Sequence, residues 1–233
     1  SGPALVASSV GEQTTHAALG GPEVVARTTG VVSAIVRDEP AAMLSIRAFL
    51  SYLPSNAALP PPLAPPRAPA VPPERIRELV PEALNYAYDM HRLIDAVVDA
   101  DSCFELKAQY GTSLITALAR IEGRAVGVIA NNPRCQAGVF DAASLAKACQ
   151  LTDLCDSFGL PLVFLQDLPG VMIGTDAEKS GVASRVMDFY KRLARATVPR
   201  VSVVVRKAFG FGAFLMGGQG LGADYTVAWA SAQ

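Results

Sequence analysis

Histidine is nearly absent from this chain. Two residues, His16 and His91, are all that its 233 positions contain. The four cysteines (Cys103, Cys135, Cys149 and Cys155) lack the spacing of metal ligands, so no metal site is expected. No Ser–His–Asp or Cys–His constellation can be assembled from these residues, which removes the usual routes to nucleophilic catalysis. Charge is also scarce. Only 18% of residues are charged and the net charge is −1, which argues against a nucleic-acid surface. No apolar run approaches the ~20 residues needed to span a bilayer. Ser1-Gly2-Pro3 carries neither a basic nor an apolar targeting stretch, and the expectation is a cytoplasmic protein with reduced, buried thiols. Apolar residues, by contrast, make up 51% of the chain, and the mean hydropathy is +0.30. Such a composition implies buried helices and strands, or extensive subunit contacts.

Proline divides the chain. Residues 60–73 read Pro-Pro-Pro-Leu-Ala-Pro-Pro-Arg-Ala-Pro-Ala-Val-Pro-Pro, and missing N–H donors exclude helix and sheet ladder alike. The segment is expected to be an extended connector. Before it, residues 1–59 read as α-rich. Asp38-Glu39-Pro40 caps a helix over 41–52 whose Met43, Leu44, Ile46, Leu50 and Leu53 suit a buried face. After it, residues 74–233 alternate apolar strands with amphipathic helices: strands at 104–106, 114–121, 125–130, 161–165, 201–205 and 225–229, and helices at 141–158 and 178–196. That alternation predicts an α/β fold with a buried, largely parallel sheet.

Ligands of such sheets bind beyond the carboxyl ends of the strands. Three loops fall there: Asn131-Asn132-Pro133, Gln166-Asp167-Leu168-Pro169-Gly170, and Phe209-Gly210-Phe211-Gly212-Ala213. The third follows Arg206 and Lys207 and leads into a short helix through Phe214, Leu215 and Met216. Its glycines let a ligand approach the backbone, and the first N–H groups of a helix suit an anion or oxyanion. A tight packing turn is the equal alternative on local pattern alone. Asp167 suits either an active-site polar group or a turn, Asn131 and Asn132 either ligand contacts or strand ends, and Arg206 and Lys207 a phosphate or carboxyl group. The two histidines read as structural, and Cys149 and Cys155 as helix packing.

The stretches Gly-Arg-Ala-Val-Gly-Val-Ile-Ala-Asn-Asn-Pro (123–133), Cys-Asp-Ser-Phe-Gly-Leu-Pro-Leu-Val-Phe-Leu-Gln-Asp-Leu-Pro-Gly (155–170), Thr197-Val198-Pro199 and Arg206-Lys207-Ala208-Phe209-Gly210 stand in this order. Together with Gly2-Pro3-Ala4-Leu5-Val6, Leu50-Ser51-Tyr52-Leu53-Pro54-Ser55-Asn56 and Tyr86/Asp89, they make the chain resemble the carboxyltransferase (β) subunit of biotin-dependent acyl-CoA carboxylases. The resemblance implies a crotonase-like ββα spiral, here an incomplete tandem repeat. Residues 1–59 would be the end of its N-half, 60–73 the linker, and 74–233 the start of its C-half. It also implies carboxyl transfer from biotin on a partner carrier to the α-carbon of an acyl-CoA. Further implications are a biotin carboxylase and biotin carboxyl carrier as partners, a homo-oligomeric (hexameric) ring, and no membrane or nucleic-acid partner. Gly212 and Ala213 would form one oxyanion hole, with Gly210, Phe211, Phe214, Leu215, Asp167, Pro169, Gly170, Asn131, Asn132, Arg206 and Lys207 around the substrates.

The pattern departs from the family in three places. No Gly-Gly-Ala segment for a second oxyanion hole precedes Gly2-Pro3, the sequence shown ends soon after Ala228-Trp229-Ala230, and Phe211 is an extra residue between the loop glycines. Little turnover is therefore expected of these 233 residues alone. An acyl-CoA decarboxylase, biotin-dependent or not, and a non-catalytic assembly domain of the same fold are the rival readings.

Overall fold

The protein is described by a computed structural model covering residues 2–233. Six strands lie in one sheet in chain order: β1 (Phe104–Leu106), β2 (Leu114–Ile121), β3 (Arg124–Asn131), β4 (Leu162–Leu168), β5 (Arg200–Ala208) and β6 (Tyr225–Ala228). The first three are antiparallel neighbours, and β3 through β6 are parallel. The β2–β3 hairpin turns on Glu122 and Gly123, both at positive φ (50° and 77°), a backbone that matches the twist of the flanking strands. Both turn N–H groups are held by the Asp99 carboxylate at 2.8 Å.

Both faces of β2, β3 and β4 are buried, which is why these strands read as unbroken apolar runs, whereas β6 at the sheet edge is largely exposed. Ile115, Ala117, Val126, Val128 and Ala130 pack beneath the helix Met90–Val97. Leu114, Leu118, Ala125 and Ile129 pack beneath the long helix Ala142–Phe158 and the helix Val182–Arg195. In chain order the helices are α1 (Pro3–Val10), α2 (His16–Gly20), α3 (Glu39–Leu50), α4 (Ile76–Leu79), α5 (Met90–Val97), α6 (Ala142–Phe158), α7 (Thr175–Lys179), α8 (Val182–Arg195) and α9 (Gly210–Leu215). Consecutive parallel strands wound with one hand place α6, α8 and α9 on the same side. α6 starts on a capping box between Asp141 and Ser144 and ends on Gly159 at φ 70°.

Three expectations change. The helix foreseen over 178–196 is two, because Gly181 at φ 77° breaks it between α7 and α8. α3 begins on its Asp38 cap, whose carboxylate accepts from Ala41 N at 2.8 Å, but its apolar face is not buried. Met43, Leu44, Ile46 and Leu50 are 50–70% exposed; only Phe49, Tyr52 and Leu53 reach the core. The proline-rich segment is extended yet pinned: Ala64 N bonds Gly123 O, Ala70 N bonds Asp95 O, and Ala100 N bonds Ala68 O.

Candidate functional site

The three loops meet, and buried polar groups join them. Asn131, at the end of β3, accepts from the Asp167 N–H at 3.2 Å and donates to Gly138 O at 3.0 Å. Asp167, near the end of β4, takes the Arg206 guanidinium on Oδ2 (Nε 3.0 Å, Nη2 2.9 Å) and the Lys207 N–H on Oδ1 at 3.3 Å. Arg206 can point there because β5 bulges: Gln166 pairs with Val204 but Leu168 pairs with Ala208, so β5 spends two extra residues. Arg206 Nη1 then caps the carbonyls of Pro81, Ala83 and Tyr86, and the guanidinium lies 4.9 Å from the Tyr88 ring centroid. Burial, followed by the charge of Asp167, pushes the Tyr88 hydroxyl's pKa upward, so it stays protonated.

These contacts correct several sequence expectations. Arg206 and Asp167 are fully buried and ion-paired with one another, so neither side chain is offered at the surface to a phosphate or a substrate carboxyl group. Lys207 Nζ turns inward to Asp167 and Leu84 O at 3.6 and 3.5 Å. Asn132 closes a turn by accepting from Arg134 N and donating to Thr112 O. Leu215 lies fully buried in the core and faces no substrate space.

What remains open at the surface is the glycine loop. Phe209 N donates to Leu168 O at 3.2 Å, and Gly210 adopts φ 63° with open space around its α-carbon. A Cβ on Gly212 would stand 2.5 Å from Leu168 Cδ2, so this position needs glycine for close approach to β4. α9 starts at Gly210, which gives the Ala213 N–H an in-helix acceptor in the Phe209 carbonyl. The N–H groups of Gly210, Phe211 and Gly212 have no acceptor among the described residues. Phe211 and Phe214, each about half exposed, flank them, and Phe211 stacks on Tyr190 at 6.1 Å. Pro169 and Gly170 are half-buried beside them.

An ionic chain ties the first loop to the sheet's far edge. Arg134 bonds Asp89 at 2.8 Å, His91 bonds Asp89 and Glu105 at 3.2 and 3.0 Å, and Glu105 lies on β1. The Glu105 hydrogen bond, opposed by burial, raises the pKa of His91. A cavity of about 540 Å³ lies elsewhere, between α4–α5 and β4–β6, lined by Ile76, Val80, Leu93, Val205 and Trp229.

Sequence reasoning missed the Asp167–Arg206–Tyr88 cluster, because a bulge two residues long leaves no mark in an apolar strand. It also passed over Lys147, buried on α6, although a lysine in the arc of Ser144, Ala148 and Leu151 was visible as a charge on the inner face.

Residues 1–233 match the carboxyl transferase domain family. The chain is 37% identical over 231 residues to the uncharacterized carboxylase YngE of Bacillus subtilis, covering 99% of this chain and 45% of the relative. It is 36% identical over 232 residues to the methylmalonyl-CoA carboxyltransferase 12S subunit of Propionibacterium freudenreichii, covering 100% and 44%. The crystal structure of the transcarboxylase 12S hexamer assembly, with methylmalonyl-coenzyme A and methylmalonic acid bound, superposes with a TM-score of 0.96 at 36% identity, over 100% of this chain and 45% of that one. The chain thus spans less than half the length of the curated relatives it matches. The α/β architecture with its six-stranded sheet is that of these carboxyltransferase domains.

Proposed function

The chain belongs to the carboxyl transferase domain family, and from that premise we propose that it supplies the glycine-loop side of an acyl-CoA carboxyltransferase, moving a carboxyl group between biotin and the α-carbon of an acyl-CoA. The observation that carries this reading is the row of N–H donors at Gly210, Phe211 and Gly212, left without acceptors and flanked by two half-exposed phenyl rings at the carboxyl edge of the sheet. Such a row suits a carbonyl that gains negative charge, whether a thioester becoming an enolate or the ureido carbonyl of biotin. The donor set also fits biotin, whose planar, neutral ureido group suits apolar walls and N–H donors rather than a charged side chain. Carboxylated on its carrier, biotin would supply the carboxyl group.

Each residue of the chain then has its task. The N–H of Gly212 is the free half of the Gly212–Ala213 pair, while that of Ala213 closes the first turn of α9 and fixes its direction. Phe211 and Phe214 exclude water from the oxyanion, which strengthens every dipole aimed at it. The buried Asp167–Arg206 pair, together with Asn131, holds the ends of β3, β4 and β5 at fixed separation beneath the loop. Losing one oxyanion donor in such sites costs on the order of 3 kcal/mol of transition-state stabilisation. An acyl-CoA substrate, a biotin carrier partner and a hexameric ring belong to the same proposal.

The test is transfer of labelled carboxyl from methylmalonyl-CoA or malonyl-CoA to biotin. The chain alone is expected to give little or no transfer, because it spans 44% of the 12S relative. Substituted into that subunit in place of the matching segment, it is expected to support transfer. A folded, assembled hybrid without transfer refutes the reading.

A further inference from the structure

Both ring nitrogens of His91 meet carboxylate oxygens. Nδ1 lies 3.2 Å from Asp89 Oδ1, and Nε2 lies 3.0 Å from Glu105 Oε2. A carboxylate oxygen only accepts, so both contacts are hydrogen bonds only when both nitrogens carry protons. A neutral imidazole would turn one lone pair towards an anion. The geometry therefore selects the imidazolium, on a half-exposed ring that exchanges protons with solvent.

The bridge joins three elements. Asp89 is the N-cap of α5, accepting from His91 N at 3.1 Å, and it also holds Arg134 Nη1 of the loop after β3 at 2.8 Å. Glu105 lies on β1. Directly before Asp89 runs the irregular segment 81–88. It carries a single internal backbone bond among the described residues, Tyr86 N to Ala83 O at 3.3 Å. Its inner side is what caps the buried cations beneath the glycine loop. The carbonyls of Pro81, Ala83 and Tyr86 take Arg206 Nη1, Leu84 O takes Lys207 Nζ, and the Tyr88 ring covers the guanidinium. The segment is thus anchored at Arg206 along its length and at the Asp89–His91–Glu105 bridge at its end.

We infer that His91 is a positioning residue: its positive charge latches segment 81–88 against β1 and the loop after β3, and through that segment's carbonyls it sets Arg206 beneath the glycine loop. Losing the proton releases the latch. The consequence for carboxyl transfer rests on the function proposed above, whereas the latch itself does not. The charged groups that face His91 are Asp89 on its own element and Glu105 on β1. Arg134 reaches it through Asp89, and Lys147 of α6 acts on Glu105. The Glu105 hydrogen bond, opposed by burial, raises the His91 pKa, so the latch is shut below that raised value and opens as pH rises through it.

Trp229, the chain's one tryptophan, supplies the readout. It lines the cavity of about 540 Å³ together with Val80 and Glu82, so its emission senses where the segment sits. In the 233-residue chain that emission should titrate with a midpoint above the ordinary histidine value of about 6.5. His91→Arg stays charged throughout and should keep the low-pH emission without the titration. Glu105→Gln should lower the midpoint by about one pH unit, and His16→Gln should leave it unchanged. If His91→Arg does not fold, Glu105→Gln decides alone. In the hybrid 12S subunit carrying this chain, His91→Arg should keep at high pH the transfer that the wild-type chain loses. The expected titration in a hybrid that transfers nothing refutes the carboxyl-transfer reading and upholds the latch. A flat wild-type emission, a titration that survives in His91→Arg, an unmoved midpoint in folded Glu105→Gln, or transfer that falls with pH equally in both hybrids overturns the proposal.

Discussion

Asp167 Oδ2 and Arg206 Nη2 stand 2.9 Å apart with both side chains at most 1% exposed, and the pair joins the end of β4 to the bulge of β5. Removing Arg206 leaves the buried Asp167 with only Lys207 beside it, and removing Asp167 leaves the Arg206 guanidinium with carbonyls alone. Arg206→Met or Asp167→Asn is expected to cost about 3–5 kcal/mol in urea unfolding. The double variant Asp167→Leu/Arg206→Met should lose less than the sum of the two. Strict additivity would show that the pair does not couple.

Gly212 is set by space and Gly210 by backbone. The Cβ of Gly212→Ala would meet Leu168, which is fully buried, and overpacking of that kind costs about 1–3 kcal/mol. Leu168→Val in the same chain should recover part of the loss. Gly210→Ala meets nothing, but its φ of 63° should cost about 1 kcal/mol. Equal responses of both glycine variants to Leu168→Val would contradict this division.

His91 gains its proton affinity first from the Glu105 hydrogen bond and then from Asp89, against burial. Its folded pKa lies above the unfolded one, so its contribution to stability is complete below the unfolded pKa. That contribution fades as pH rises through the raised folded value. Proton NMR of the imidazole should show a titration midpoint above that of an unfolded control, and Glu105→Gln should lower it. An unchanged midpoint in Glu105→Gln would remove Glu105 as the cause.

The thiols should react unequally. Burial pushes Cys103 and Cys155 up to about 12 and Cys149 up to about 11, so their thiolate fractions near neutral pH are negligible. Cys135 is half-buried in the loop after β3, where Asn132 Nδ2 lies 3.5 Å from its sulfur. An aromatic disulfide reagent should therefore label Cys135 in the native protein, with the other three following only on unfolding. Peptide mapping that finds Cys149 or Cys155 labelled first would contradict the packing described.

The fold was legible where hydrophobic period and turn chemistry agree. The strands ending at Asn131 and Leu168, the Asp141 cap of α6 and the Glu122-Gly123 hairpin all carry their signals locally. The glycine loop was legible for the same reason. Side-chain destinations were not. Arg206, next to a glycine loop, reads as an anion contact until a β5 bulge and the carbonyls of residues 81, 83 and 86, more than a hundred positions away, are seen to consume it. The open face of α3 failed similarly, since period alone shows that a face is apolar but not what covers it, and Leu215, placed near substrate by resemblance alone, lies in the core.

Carboxyl transfer by the hybrid 12S subunit carrying this chain tests the account most directly. Labelled carboxyl from methylmalonyl-CoA should appear on biotin, and Gly212→Val in the same hybrid, which keeps the N–H but displaces it because the branched side chain meets Leu168, should reduce that transfer roughly hundred-fold, as expected of an oxyanion donor moved out of place. An assembled hybrid that transfers no label, or a folded Gly212→Val hybrid that transfers it at the parent rate, would contradict the assignment of the glycine loop.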